Sequence, residues 1–123
     1  MSSSPVYFVL DLTIPDGKLP EIETLVRTMI DGTTREKGAL AYEWFLSADH
    51  RRCRLLETYA NASAVQAHLD SAVVQQLVPK LLQLAKLERF EVYGSPDAPA
   101  AKALQGVGAT IYPLWKGLQR VAA

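Results

Sequence analysis

The sequence predicts one α+β domain of the ferredoxin-like class, in which an antiparallel sheet carries its helices on one face. Hydrophobic patterns follow one another in the order strand, helix, strand, strand, broken helix, strand, which is the βαββαβ order of that class. The chain has 123 residues, of which 49% are hydrophobic, enough for one core and too few for two typical domains. We assign residues 1–96 to this domain and residues 97–123 to a C-terminal extension.

The first strand is predicted over residues 6–13, which are rich in β-branched and aromatic side chains. Alternate residues form one wholly apolar face, which should pack on helices. The members of that face are Val6, Phe8, Leu10 and Leu12. The opposite face is mixed and includes Asp11. We therefore expect Asp11 at an edge of the sheet, in an interface or in a polar pocket.

A helix is predicted from Pro20 to about Arg35, because its apolar residues recur at the spacing of one helical face. Glu21 and Glu23 fall in its first turn, where the helix dipole favours negative charge. We expect Gly38 to act as the stop at the C-terminal end of this helix.

The next two strands are predicted over residues 40–46 and 52–59, joined by five residues with Asp49 at their centre. A connection of that length suits an antiparallel hairpin. Asn61 follows the second of these strands and is the expected N-cap of the next helix, with Ser63 as a second candidate.

The second helical region is predicted from Asn61 to about Leu87. We expect a break with a fresh N-cap at residues 70–71, and a kink at Pro79, which lacks a backbone N–H. A last short strand is predicted over residues 89–93, and a short helix over residues 98–104. The residues after that helix are too apolar for a free tail, so we expect the extension to dock on its own domain or on a partner protomer. Docking for stability is the simpler interpretation, and capping the mouth of a pocket is the functional one.

The second face of the sheet predicts a homodimer. It carries Tyr7, Val9 and Asp11 together with alternate residues of the hairpin, and too many of these are apolar or aromatic for a surface washed by solvent. Two such sheets packed face to face would bury them.

Composition limits the remaining possibilities. The formal net charge is zero, and a nucleic-acid binder needs a clustered basic face, so we expect no nucleic-acid partner. The single cysteine, Cys53, excludes an internal disulfide and a cysteine pair for a metal, and we expect it to be a small buried hydrophobe. No apolar stretch approaches the ~18 to 20 residues that span a bilayer, and the N-terminus lacks the pattern of a secretory signal. We expect a soluble cytoplasmic protein.

An ordered set of residues resembles the antibiotic biosynthesis monooxygenase (ABM) domain family over roughly residues 5–96. The set is Glu36-x-Gly38, Leu40-x-Tyr42-x-Trp44, Glu57-x-Tyr59-x-Asn61-x-x-Ala64-x-x-x-His68 and Tyr93-Gly94-x-Pro96. The resemblance implies a dimeric α+β barrel, with each sheet forming half of the wall. For some members it also implies oxygenation of quinols or polycyclic phenols without metal or flavin, whereas other members have no established reaction.

Oxygenation without a cofactor requires a substrate that becomes a stabilised anion and then reduces oxygen itself. The protein must take a proton, stabilise the anion and exclude water. His68 is the best base by residue type, since its unperturbed pKa is near ~6.5. Glu57 lies on an otherwise apolar strand face and could fix the imidazole tautomer, which requires a hydrogen bond of no more than about 3.2 Å. The alternatives are a structural histidine, and an ion pair between Glu57 and an arginine of the hairpin.

We expect Tyr42, Trp44, Tyr59 and Asp11 to contribute to substrate binding, and the rings of Tyr42 and Trp44, which share a strand face, to stack on a planar substrate. The alternative for the three aromatic residues is an ordinary core or interface position. A haem-degrading branch of the same superfamily has asparagine, tryptophan and histidine where this chain has Asp11, Tyr59 and His68. Two of these three positions differ, so haem is disfavoured.

Two functional hypotheses follow. The first is a cofactor-independent monooxygenase acting on a quinol-like or polyphenolic aromatic molecule. The second is a non-enzymatic dimer that binds a small apolar ligand or serves a stress response. Convergence of Glu57 and His68 on one enclosed cavity would favour the first.

Overall fold

The structure is a computed structural model that describes residues 4–120, and within that range it contains nine helices and strands. Their bounds are β1 Val6–Thr13, α1 Leu19–Thr34, β2 Ala39–Leu46, β3 Arg52–Tyr59, α2 Ala62–Leu69, α3 Val78–Leu84, β4 Lys86–Tyr93, α4 Ala98–Gly106 and β5 Thr110–Tyr112. A π-helical turn, Val73–Leu77, leads directly into α3.

The strands form one sheet in the order β2-β3-β1-β4-β5. The first four strands pair antiparallel, which confirms the ferredoxin-like prediction for this part of the chain. The structure adds a fifth strand that the sequence did not predict, since β5 of the C-terminal extension pairs parallel to β4. β5 has three residues, too few to produce the alternating pattern by which a strand is recognised in a sequence.

One face of the sheet, which we call the inner face, packs against the helices. Val6, Phe8 and Leu12 of β1 are buried there, as their alternation predicts. Cys53 of β3 is also buried on this face, in agreement with its expected role as a small hydrophobe. The opposite face carries no helix in the described part of the chain, and we call it the outer face.

Gly38 does not stop α1, contrary to the sequence prediction. The helix ends at Thr34, and Gly38 is not among the glycines with positive φ. A side chain is excluded at Gly38 for another reason, because a Cβ there would overlap the methyl group of Ala64 in α2. The glycine therefore allows α2 to lie directly against the connection between α1 and β2.

The second helical region begins as predicted. The Asn61 side chain accepts a hydrogen bond from the backbone N–H of Ala64 at 2.9 Å, which is an N-cap. The helix breaks after Leu69, at the predicted place. Pro79 is accommodated by the preceding π-helical turn, since its missing N–H cannot bond to the carbonyl four residues earlier.

The helical region ends earlier than predicted, and β4 begins at Lys86 rather than at Arg89. Leu87 fits a helical stripe as well as an alternating strand, so the sequence pattern leaves this boundary open.

The C-terminal extension lies partly against its own domain. Ala100 and Leu104 of α4 are fully buried against inner-face residues of β1 and β4 and against α2. The chain after β5 is exposed, and its exposed residues include the large hydrophobic side chains Leu114, Trp115 and Leu118. No helix within residues 4–120 combines the length and the apolar character needed to cross a bilayer.

Candidate functional site

A cavity of about 230 Å³ lies between the inner face of the sheet and the helices. Its walls are mainly leucine, valine and phenylalanine side chains from β1, β4, α3 and α4. Among the residues proposed from the sequence, Tyr42, Glu57 and His68 line this cavity. An apolar cavity with a few convergent polar groups is the usual form of a small-molecule site.

His68 lies between two glutamates. Its Nδ1 atom is 2.8 Å from Oε1 of Glu36, which is a hydrogen bond, and its Nε2 atom is 3.4 Å from Oε1 of Glu57. The Nε2 distance exceeds the about 3.2 Å that we set for a direct hydrogen bond between His68 and Glu57. The structure therefore brings Glu57 and His68 together at one cavity without the direct hydrogen bond that orientation of His68 by Glu57 requires, and the carboxyl that binds the imidazole is that of Glu36.

Glu57 is buried on β3, where the Tyr59 hydroxyl donates a hydrogen bond to its Oε1 atom. Burial raises the pKa of Glu57 to about 8, and the nearby Glu36 adds to the rise, while the bond from Tyr59 opposes it. Glu57 therefore holds its proton at neutral pH. A protonated carboxyl can donate a hydrogen bond, whereas a carboxylate can only accept.

His68 is also buried, and burial lowers its pKa below the usual value for histidine, an effect that Glu36 partly offsets. The imidazole is therefore neutral at physiological pH. A neutral imidazole with one nitrogen bonded to a carboxylate leaves its other nitrogen free to accept a proton.

The three aromatic residues proposed for substrate binding lie close to His68 or to one another. The Tyr59 ring is 5.0 Å from the His68 ring, and the Tyr42 ring is 6.0 Å from both the His68 ring and the Trp44 ring. Of these three residues, Tyr42 lines the cavity, whereas Tyr59 is completely buried behind it. Burial and the neighbouring Glu57 raise the pKa of Tyr42, so its hydroxyl stays protonated.

Asp11 does not lie with the other proposed site residues around His68 and does not line the cavity. It lies buried on the outer face, where its Oδ1 atom accepts a hydrogen bond from Nε of Arg54 at 2.5 Å and its Oδ2 atom is 3.8 Å from Arg89. The sequence placed Asp11 on the mixed face of β1, and this is where the structure has it. Cross-strand neighbours on β3 and β4 supply both arginines.

Glu36 is the site residue that sequence reasoning missed. Glu36 is part of the Glu36-x-Gly38 pattern in the sequence, but that pattern does not indicate any role for it. It precedes His68 by 32 residues and lies on a connection, so no helical or strand spacing relates the two. The only signal in the sequence was an acidic residue close to a glycine that was expected to end an element.

Three buried polar atoms have no hydrogen-bond partner within the described residues. They are Thr33 Oγ1, Glu36 Oε2 and Trp44 Nε1. Thr33 and Trp44 are both close to the Tyr42 side chain. None of these three residues lines the cavity, whereas Tyr42 does. Residues 4–120 hold no cluster of three or more His, Cys, Asp or Glu that could bind a metal ion.

Comparison with known proteins identifies the family. The sequence model of the Antibiotic biosynthesis monooxygenase family matches residues 5–80, which is more than half of the chain. The protein therefore belongs to the antibiotic biosynthesis monooxygenase family. No match is found among curated proteins.

Solved structures show the same fold. MupZ from Pseudomonas fluorescens is 21% identical, with a TM-score of 0.76, and the match covers 98% of this chain and 99% of MupZ. The protein Rv0793 from Mycobacterium tuberculosis is 25% identical over 76% of this chain and 97% of its own, with a TM-score of 0.65. SnoaB, a cofactor-independent oxygenase from Streptomyces nogalater, is 14% identical over 77% of this chain and 96% of its own, with a TM-score of 0.65. The match to MupZ thus extends into the C-terminal extension.

Proposed function

We propose that the protein is a cofactor-independent monooxygenase that oxidises a quinol-like or polyphenolic aromatic substrate. The observation that carries the proposal is the shared cavity, at whose mainly apolar wall the imidazole of His68 and the carboxyl group of Glu57 meet. Membership of the family supports it, as does the similarity in fold to SnoaB, which is described as a cofactor-independent oxygenase.

In the proposed reaction, Nε2 of His68 takes the proton of a phenolic hydroxyl and produces a phenolate. Glu57 and Tyr42, both protonated, donate hydrogen bonds to the developing anion. The electron-rich ring then reduces dioxygen to a peroxide bound at carbon, and this peroxide takes the proton back from His68 to become a hydroperoxide. Loss of water from that hydroperoxide leaves a quinone, so one oxygen atom enters the product and the other leaves as water with two hydrogens of the substrate.

The apolar walls would exclude water from the anion and from the hydroperoxide. The size of the cavity favours small substrates. An engineered cavity of about 150 Å³ is known to hold one benzene ring, and the cavity here measures about 230 Å³. We therefore expect a substrate with one or two fused rings in preference to a larger polycyclic phenol.

We also propose that the protein is a homodimer that buries the outer face of the sheet. Tyr7 and Phe45 are 40% and 49% exposed on that face, and the buried Asp11 is paired there with Arg54. Exposed aromatic side chains on a sheet face that no helix covers are typical of a protein interface. Sedimentation at micromolar concentration should give about twice the monomer mass, and a monomer under those conditions would contradict this proposal.

The test of the activity is the measurement of oxygen consumption with a panel of naphthols and quinols. His68→Ala should reduce the rate by about 10²–10⁴-fold, the usual contribution of a general base. His50→Ala is the matched control, because His50 is exposed in the hairpin connection and should be dispensable. With labelled dioxygen, one labelled atom should enter each product molecule.

The same panel separates the two functional hypotheses. Binding of these aromatics without any oxygen consumption would support the non-enzymatic, ligand-binding alternative and contradict the proposed activity. Equal rates for wild type and His68→Ala would remove His68 from the mechanism.

A further inference from the structure

His68 contacts two carboxyl groups that come from different parts of the chain. Glu36 lies on the connection between α1 and β2, and Glu57 lies on β3. Oε1 of Glu36 is 2.8 Å from Nδ1, while Oε1 of Glu57 is 3.4 Å from Nε2. The two nitrogens of the imidazole therefore have different surroundings, and only one of them is hydrogen-bonded to a carboxyl group.

We propose that Glu36 is the positioning residue of the site, because its carboxylate accepts the Nδ1–H of His68 and so leaves Nε2 unprotonated beside Glu57 and the cavity. In free histidine the neutral imidazole can carry its proton on either nitrogen, and the hydrogen bond made by one nitrogen selects the tautomer. That Nε2 then serves as the base rests on the proposed function. The tautomer itself does not.

The two glutamates are not interchangeable in this role. Oε1 of Glu57 already accepts the hydrogen bond from the Tyr59 hydroxyl, and Glu57 lines the cavity. Glu36 does not line the cavity, so it can act on a bound molecule only through His68. Its second oxygen, Oε2, is buried without a hydrogen-bond partner among the described residues. The bond to His68 is therefore the only side-chain hydrogen bond found for Glu36 in residues 4–120, which ties its orientation to that contact.

The other groups that face the imidazole do not compete for Nδ1. The Tyr59 and Tyr42 rings lie 5.0 Å and 6.0 Å from the His68 ring, and the Tyr59 hydroxyl is engaged by Glu57. The Ser71 hydroxyl donates to the backbone carbonyl of His68 and leaves the ring free. Glu36 is thus the acceptor that the described structure offers to Nδ1–H.

The tautomer can be measured directly, because the chain contains two histidines, His50 and His68. Nuclear magnetic resonance of protein carrying isotope-labelled histidine distinguishes a protonated from an unprotonated ring nitrogen. In the wild-type protein at neutral pH, His68 should be neutral with its proton on Nδ1. His50 is exposed in the hairpin connection and serves as an internal reference. A wild-type His68 with its proton on Nε2, or with protons on both nitrogens, would overturn the proposal.

Two substitutions at Glu36 sharpen the test. Glu36→Gln keeps a carbonyl oxygen that can accept the Nδ1–H, so the tautomer should be retained. Glu36→Leu removes the acceptor, and the proton should move to Nε2. An unchanged His68 spectrum in Glu36→Leu would contradict the proposed role. If Glu36→Leu does not fold, the wild-type and Glu36→Gln spectra still decide, because both must show the proton on Nδ1.

The kinetic consequence separates positioning from general stability. Once a substrate that the protein oxidises has been found, Glu36→Leu should lower its kcat by roughly 10²–10⁴-fold with little change in KM. The kcat of Glu36→Gln should lie between those of Glu36→Leu and wild type. A rise in KM with unchanged kcat would contradict positioning. If no substrate is oxidised, the proposed function fails while the tautomer result stands, so the two failures can be told apart.

Discussion

Gly38 and Ala64 lie so close that a single added carbon on Gly38 would overlap the Ala64 methyl group. This contact has a consequence for the site. Glu36 is two residues before Gly38, and His68 is one helical turn after Ala64. Close approach at the glycine therefore places the two residues where Glu36 Oε1 and His68 Nδ1 form their hydrogen bond.

Gly38→Ala should destabilise the protein and disturb the site together. The added methyl group would force α2 away from the connection, and overpacking of this kind costs about 1–3 kcal/mol. Chemical denaturation should show the loss of unfolding free energy. Gly106→Ala is the matched control, because a Cβ at Gly106 meets nothing within 4 Å. Equal stability of the two variants would contradict the role assigned to the Gly38–Ala64 contact.

Burial of Glu57 predicts that stability falls as pH rises towards about 8. The pKa of Glu57 is raised in the folded state, so folding favours its protonated form. The resulting contribution to the free energy of unfolding is lost as pH rises from the pKa of Glu57 in the unfolded chain to its pKa in the folded protein, about 8. His68 has a lowered pKa and acts in the opposite sense, but its effect is confined below its unfolded value near ~6.5. Between about pH 6.5 and 8, the effect of Glu57 should therefore dominate this pair.

The measurement is the free energy of unfolding across that interval in wild type and in Glu57→Gln. Wild type should lose stability with a slope of at most about 1.4 kcal/mol per pH unit, the limit for one proton. The amide that replaces the carboxyl group in Glu57→Gln cannot titrate, so the variant should show a flatter profile. Parallel profiles for the two proteins would show that Glu57 is ionised in the folded state at neutral pH.

How much of this arrangement a sequence can predict depends on the range of the interactions. The Asn61 cap and the hairpin were predicted because turns and caps are decided by neighbouring residues. Asp11 was assigned to the correct face of β1 by alternation alone. The partners of Asp11 and the bond from Glu36 to His68 depend on the three-dimensional packing of distant segments, so no local pattern could predict them. The same applies to Gly38, whose role depends on Ala64.

Asp11→Asn should weaken the proposed dimer more than it weakens the folded protomer. The substitution removes the negative charge between Arg54 and Arg89, both of which remain about half exposed in the single chain. The loss in protomer stability should be about 1 kcal/mol, because partly exposed hydrogen-bonded pairs contribute little. If the outer face is buried between two copies, the unpaired arginines become costly and the dissociation constant should rise at least about tenfold, or 1.4 kcal/mol.

Sedimentation across a concentration series measures that dissociation constant. Glu23→Gln is the control, since Glu23 pairs with Arg27 on the exposed surface of α1 and should leave the dimer unchanged. A dimer of undiminished affinity in Asp11→Asn would place the interface elsewhere.

Ala103→Phe should block the cavity from the side of α4. Ala103 is an exposed residue of α4 that lines the cavity together with the buried Leu104, so α4 of the C-terminal extension supplies part of the cavity wall. A phenyl ring at this position would take space that a substrate ring needs in a cavity of about 230 Å³. Affinity for a naphthol, measured by calorimetry under anaerobic conditions, should fall at least about tenfold, which corresponds to 1.4 kcal/mol.

Lys102→Phe provides the comparison, because it adds the same ring to α4 at an exposed position that does not line the cavity. Naphthol affinity in this variant should stay at the wild-type value. Stability of Ala103→Phe should stay close to that of wild type, because Ala103 is exposed and its substitution disturbs no core packing. Unchanged naphthol affinity in Ala103→Phe would mean that the ligand binds outside this cavity, and the roles assigned to His68 and Glu57 would then lose their basis.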